Sequence, residues 1–134
     1  MAEVIQVFLA KAEQSLDGAE SEFISRRYDN CANRCYYACF QAAVAALVEA
    51  GIQPIGTQWS HRFVPAQFDG QLINRRKLYL TNLRNILARN YALRQRADYD
   101  IARSVSAIEA SRALQRARTF LAAVQQQIQP GGNV

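Results

Sequence analysis

Three cysteines, an arginine and two tyrosines fall within one nine-residue stretch of this 134-residue chain. Residues 31–39 read CANRCYYAC and hold every cysteine: Cys31, Cys35 and Cys39. Side chains four apart on a helix lie one above another, drifting about 40° per step at 3.6 residues per turn. Thiols placed in this way rarely reach disulfide geometry. Three thiolates could hold a metal ion, but the paired spacing of zinc sites is absent, and the single histidine, His61, lies beyond the Gly51–Gly56 break. No metal or other cofactor is expected, and the cysteines read as small, soft core residues.

The same segment carries a polar stripe, Arg34, Tyr37 and Gln41, spaced three and four apart. An arginine in an apolar helix needs a partner if it is buried. Residues 94–99, RQRADY, offer one in Asp98. Two readings stand. Arg34 and Asp98 form a structural pair between two helices, or the stripe belongs to a polar site fed by Arg94 and Tyr99. Spacing alone does not separate them.

Charge supplies the next constraint. The formal net charge is +5, and it is unevenly spread. Residues 1–30 hold six acids and three bases, whereas the stretch between Asp69 and Asp98 holds seven bases and no acid. Such a stripe suits a phosphate-rich partner, a solvated helix face or an acidic protein surface. No apolar run approaches the roughly 18–20 residues of a membrane span. The first residues lack the basic segment of a signal peptide, so a cytoplasmic, reduced protein is expected.

The elements that position these residues are helices. Ile5, Leu9, Ala12, Leu16, Ala19 and Phe23 repeat at four and three, one stripe of a helix. A tight turn near Arg27 follows, with capping side chains in Tyr28-Asp29-Asn30. A second helix over about Asn30–Ala50 is apolar nearly all round and therefore central, with Gly51 as its stop. His61, Phe63, Val64 and Phe68 suggest a short helix over one end of the bundle, and Asp69-Gly70 a break. A third long helix is expected from about Asn74, with Leu80, Leu83, Ile86 and Leu87 toward the core. The last opens on the capping box Ser106-Ala107-Ile108-Glu109. The expected fold is all-α: one domain over residues 1–128, an antiparallel up-and-down bundle of four long helices plus a short helix, with a disordered tail at 129–134.

Taken in order, the segments RRYDNCANRCYYACFQAAVAALVEAGI, WSHRFVPAQF and LRQRADYD resemble the HEPN domain, in particular its small stand-alone prokaryotic group. Members resemble Y-x-x-A-x-x-R-x-Y-Y-A-x-F-H-A-A in the second helix, and Arg34, Tyr36, Tyr37, Ala38 and Phe40 match. They resemble R-x-x-A-D-Y before the last helix, and Arg94, Ala97, Asp98 and Tyr99 match. The resemblance spans residues 5–125. It implies a helical bundle, often a homodimer, and in many members pairing with a small nucleotidyltransferase as a toxin–antitoxin system. Active toxins of the family are metal-independent ribonucleases with an Arg-x(4–6)-His motif. Here no histidine follows Arg89 or Arg94, and Gln41 stands where a histidine is common.

Three functions follow. The first is a HEPN-type binding protein that holds nucleotide or RNA through Arg34, Tyr37, Gln41, Arg89, Arg94, Asp98 and Tyr99. The second is a metal-independent ribonuclease with His61 and Arg94 as candidate catalytic residues. The third is a structural subunit whose basic helix binds an acidic protein. Whether the chain is an enzyme is left open.

Overall fold

The computed structural model describes residues 1–129. The predicted tail lies outside the described residues except for Gln129. Among them the fold is all-α, with no strand. The helices are α1 (Ala2–Ile24), α2 (Tyr28–Glu49), a short α3 (Phe63–Gln67), α4 (Asn82–Tyr99) and α5 (Ala107–Ile128). α3 runs directly into a π-helical stretch, Phe68–Arg75.

Side-chain pairs fix the directions of the helices. Between α1 and α2, Ser15 meets Gln41 and Glu22 meets Asn30. Between α2 and α4, Asn33 meets Asp98, Tyr37 meets Arg94 and Cys39 meets Asn90. Between α4 and α5, Asn90 meets Arg116 and Arg96 meets Glu109. Glu13–Gln125 and Glu20–Arg118 close the ring between α1 and α5. In every pair the number rises in one helix as it falls in the other. Neighbours are therefore antiparallel, as in an up-and-down bundle.

α2 is the buried centre. Cys31, Cys35 and Cys39 are fully buried, as are Ala42, Ala43, Val44, Ala45 and Leu47. A run of alanines lets neighbouring backbones approach closely, which the large side chains of the other helices then fill. Phe68 stacks on both Tyr79 and Phe120, each pair with ring centroids 5.0 Å apart. This aromatic group joins the π-helical stretch to α5, and burial of each ring contributes on the order of 1.5–3 kcal/mol.

The helix ends follow local chemistry. α2 stops in a Schellman motif: Ile52 N–H donates to the Leu47 carbonyl and Gly51 N–H to that of Val48. Gly51 takes the left-handed conformation at φ 81°. α1 ends in the same pattern, with Arg27 N–H on the Glu22 carbonyl and Arg26 at φ 63° in the position that favours glycine. The capping box of α5 is present in full.

Three expectations are corrected. The segment Tyr28-Asp29-Asn30 does not cap α2; the Asp29 carboxylate instead accepts from Val105 N–H at 2.8 Å, tying the start of α2 to the approach to α5. Asp69-Gly70 is no break but lies inside the π-helical stretch, where Arg76 N–H reaches back five residues to Gln71. The third long helix starts at Asn82 rather than Asn74, so Leu80 precedes it and is 78% exposed.

Candidate functional site

Tyr37 is the hub of the matched motif residues. It lies on α2, half-buried. The Arg34 guanidinium sits 5.2 Å from its ring centroid and that of Arg94, from α4, 5.6 Å away. Arg94 also lies over Tyr36 at 5.9 Å and Tyr99 at 5.8 Å. Rings hold a guanidinium by their negative faces while leaving its N–H groups free for hydrogen bonds. Arg94 is largely enclosed, its side chain 13% exposed, yet its donors are loosely used. Nη2 reaches Tyr37 Oη at 3.4 Å. Nε stands 3.0 Å from Asp98 Oδ2, an ion-pair approach without hydrogen-bond alignment.

Asp98 sits one helical turn beyond Arg94, and it is not the partner of Arg34. Asn33 stands between them. Its Oδ1 accepts from Arg34 Nε and Nη2 at 3.2 and 2.9 Å, and its Nδ2 donates to Asp98 at 3.1 Å. Of the two sequence readings, the direct Arg34–Asp98 pair is thus replaced by a relay through an amide. Glu22, Asn30, Asn33, Arg34 and Asp98 line a groove of about 450 Å³ beside it.

His61 joins the cluster from the loop before α3. Its Nδ1 lies 2.6 Å from Tyr36 Oη, and its ring stacks on Phe40 with centroids 4.9 Å apart. Burial pushes the Tyr36 phenol up, so it keeps its proton. Partial burial, with the Arg94 charge adding to it, holds the imidazole below its ordinary 6.5. A protonated phenol with no other acceptor donates to Nδ1, which places the ring proton of neutral His61 on Nε2.

The other candidates lie elsewhere. Gln41 fastens α1 to α2: with its amide turned to donate, it reaches the Lys11 carbonyl at 3.0 Å and Ser15 Oγ at 2.7 Å. Arg89 lines a different groove, between α4 and α5. Tyr99, by contrast, stays at the rim of the Tyr37 cluster, under Arg94 and 70% exposed at the end of α4. The cysteines form no part of the site. Cys31 and Cys35 sulfurs lie 3.9 Å apart in the core, and burial pushes Cys39 up to about 12.

A family model described as "HEPN domain" matches residues 5–127. The chain belongs to the HEPN family. A protein of Methanocaldococcus jannaschii named "putative toxin" is 30% identical over 117 residues, covering 87% of this chain and 76% of that relative.

Two residues of this HEPN bundle escaped the sequence reading. Asn33 carries the Arg34–Asp98 relay. Asn90 is fully buried on α4, where it receives Arg116 Nε at 2.7 Å and donates to the Ala113 carbonyl. Its signal was present: it falls in helical register with Leu83, Ile86, Leu87 and Leu93, a polar side chain on a core face. Asn33 gave none, since a polar residue beside an arginine is ordinary.

Proposed function

We propose that this HEPN protein binds RNA or a nucleotide at Arg34, Tyr37, Arg94, Asp98 and Tyr99, as one component of a toxin–antitoxin-like pair. The observation that carries the reading is the placement of two guanidiniums on one tyrosine ring, with Arg94 donors under-used. A phosphate entering between them gains charge-assisted hydrogen bonds, and the rings offer stacking surface to a base. Asp98 is the counterweight: it repels phosphate, and the amide of Asn33 and the charge of Arg94 moderate it. The named relative supports the toxin context. A homodimer and a nucleotidyltransferase partner belong to the same proposal.

The test is incubation with end-labelled tRNA in EDTA, with binding and cleavage gels run beside Arg94→Ala and His61→Ala. We expect binding without cleavage. Loss of a charge-assisted contact worth about 1.5–3 kcal/mol weakens Arg94→Ala by about 10- to 100-fold. Absence of binding rejects the proposal.

Metal-independent cleavage is a second reading, favoured by the approach of His61 and Arg94 to the same Tyr36 ring. The lone pair of neutral His61 is directed at Tyr36, so abstraction of a ribose proton requires the phenol to turn away. Cleavage that survives EDTA and vanishes in His61→Ala establishes this reading instead.

A further inference from the structure

The far side of α4 carries a second concentration of charge. Positions 94 and 96 lie about 200° apart around a helix, so Arg96 faces away from Tyr37. Arg89 and Arg96 of α4, with Arg112 and Arg116 of α5, line a groove of about 430 Å³. Its one acid, Glu109, is held by Arg96 and by the α5 capping box. Among the described residues, Arg89, Arg112 and Arg116 pair with no acid.

Gathering like charges opposes folding unless something else holds them. Here the buried Asn90 amide does so, accepting from Arg116 Nε at 2.7 Å. It aims an arginine at like-charged neighbours instead of at an acid. Burial, then the charges of Arg89 and Arg112, hold Arg116 below the usual arginine range. The groove runs on. Arg89 and Arg116 also line a second hollow of about 350 Å³, with Asn82, Asn85, Gln115 and Thr119. No acid lines it. From Asn82 to Arg96 the track spans about 21 Å at 1.5 Å per residue.

We propose that the α4–α5 groove binds the phosphate backbone of single-stranded RNA, independently of the Tyr37 site. Forked guanidiniums suit phosphate oxygens, and amides and hydroxyls suit phosphate and sugar. An acidic protein fits less well. Protein interfaces rest on exposed apolar anchors, whereas the large apolar residues lining the hollows, Ile86 and Leu93, are 7% and 8% exposed, and contact with a phosphate backbone needs no such anchor.

The test is the double variant Arg89→Gln/Arg112→Gln, both positions being exposed, with thermal melts confirming an unchanged fold. Fluorescence anisotropy with a labelled single-stranded RNA of about 12 nucleotides gives affinity across salt. The slope of log K against log salt should shrink by about 0.7 for each phosphate no longer neutralised, about 1.4 for the pair. Arg94→Gln is measured in parallel and reports on the Tyr37 site alone, so either site can fail without the other. An unchanged slope in the double variant overturns the groove proposal, as does absence of RNA binding by the unsubstituted chain. Binding of a polyglutamate peptide in place of RNA, abolished in the same double variant, also overturns it and assigns the groove to an acidic protein.

Discussion

Arg94 and Asp98 face one another one turn apart on α4, Nε to Oδ2 at 3.0 Å, without an aligned hydrogen bond between them. The carboxylate restrains the arginine and also opposes any anion that approaches it. Asp98→Asn removes the opposition while keeping the shape. It should raise affinity for tRNA several-fold and change stability by about 0.5 kcal/mol, the scale of an ion pair one turn apart on a helix. Anisotropy titrations and thermal melts of the variant check both halves.

His61 is the single histidine, so its titration can be followed as one resonance. Its pKa is lowered by partial burial and then by Arg94. Removing the positive charge in Arg94→Gln favours the protonated ring, and the pKa should rise toward the ordinary 6.5. For the native chain, the neutral ring is the stable form above that value, and stability falls as pH drops below it. A pKa that stays put in Arg94→Gln means the two side chains are not coupled in solution.

Glu109 links the capping box to Arg96. The Arg96 hydrogen bond, with the Ser106 backbone bond, holds its carboxyl at about 2, against an ordinary 4.5. Its contribution is complete above about pH 4.5 and is lost as pH falls toward 2. Glu109→Gln should flatten the acid limb of the melting-temperature profile. Ser106→Ala, which removes the other half of the box, should cost about 1 kcal/mol.

Asn90 is the fully buried amide of α4. Asn90→Ala strands the Arg116 Nε donor, removes the extra hydrogen bond to the Ala113 carbonyl, and leaves a small cavity. Each unmet buried group costs about 1–3 kcal/mol, so the loss should be about 2–4 kcal/mol by urea melt. A near-neutral result would mean that water replaces the amide.

Gly18 lies inside the continuous helix α1, where glycine costs about 1 kcal/mol relative to alanine. A methyl there would meet Arg34 Cδ at 3.6 Å and Cγ at 3.8 Å, ordinary contact. Gly18→Ala should therefore stabilise the chain by about 0.5–1 kcal/mol and pack the Arg34 stem. Urea melts beside the unsubstituted chain test this.

The parts of this fold legible in sequence are those set by local rules. The stripe from Leu9 to Ala19, the stop at Gly51 and the box at Ser106 and Glu109 all follow from spacing and capping. The error at α4 has a physical source. Leu80 is three residues before Leu83, in phase with the helix yet outside it, because the π-helical stretch ends at Arg75 and a loop through Lys77, at φ 55°, leads to the start of α4 at Asn82. The motif residues meet at Tyr37 because α2 and α4 are antiparallel, which the order of elements implies. The arrival of His61 beside Tyr36 depends on the course of residues 51–62, which no periodicity fixes. The exchange of Asp98 from Arg34 to Arg94 turns on a single amide, Asn33.

All three thiols of the chain lie on α2, and each is fully buried. No route leads a reagent to them while α1, α4 and α5 stay packed around that helix. Their alkylation rate therefore counts openings of the bundle, and the molecule carries its own clock for how often it comes apart. Ligand seated against Tyr37, two residues along from Cys35, should slow that clock whether or not any RNA is cut.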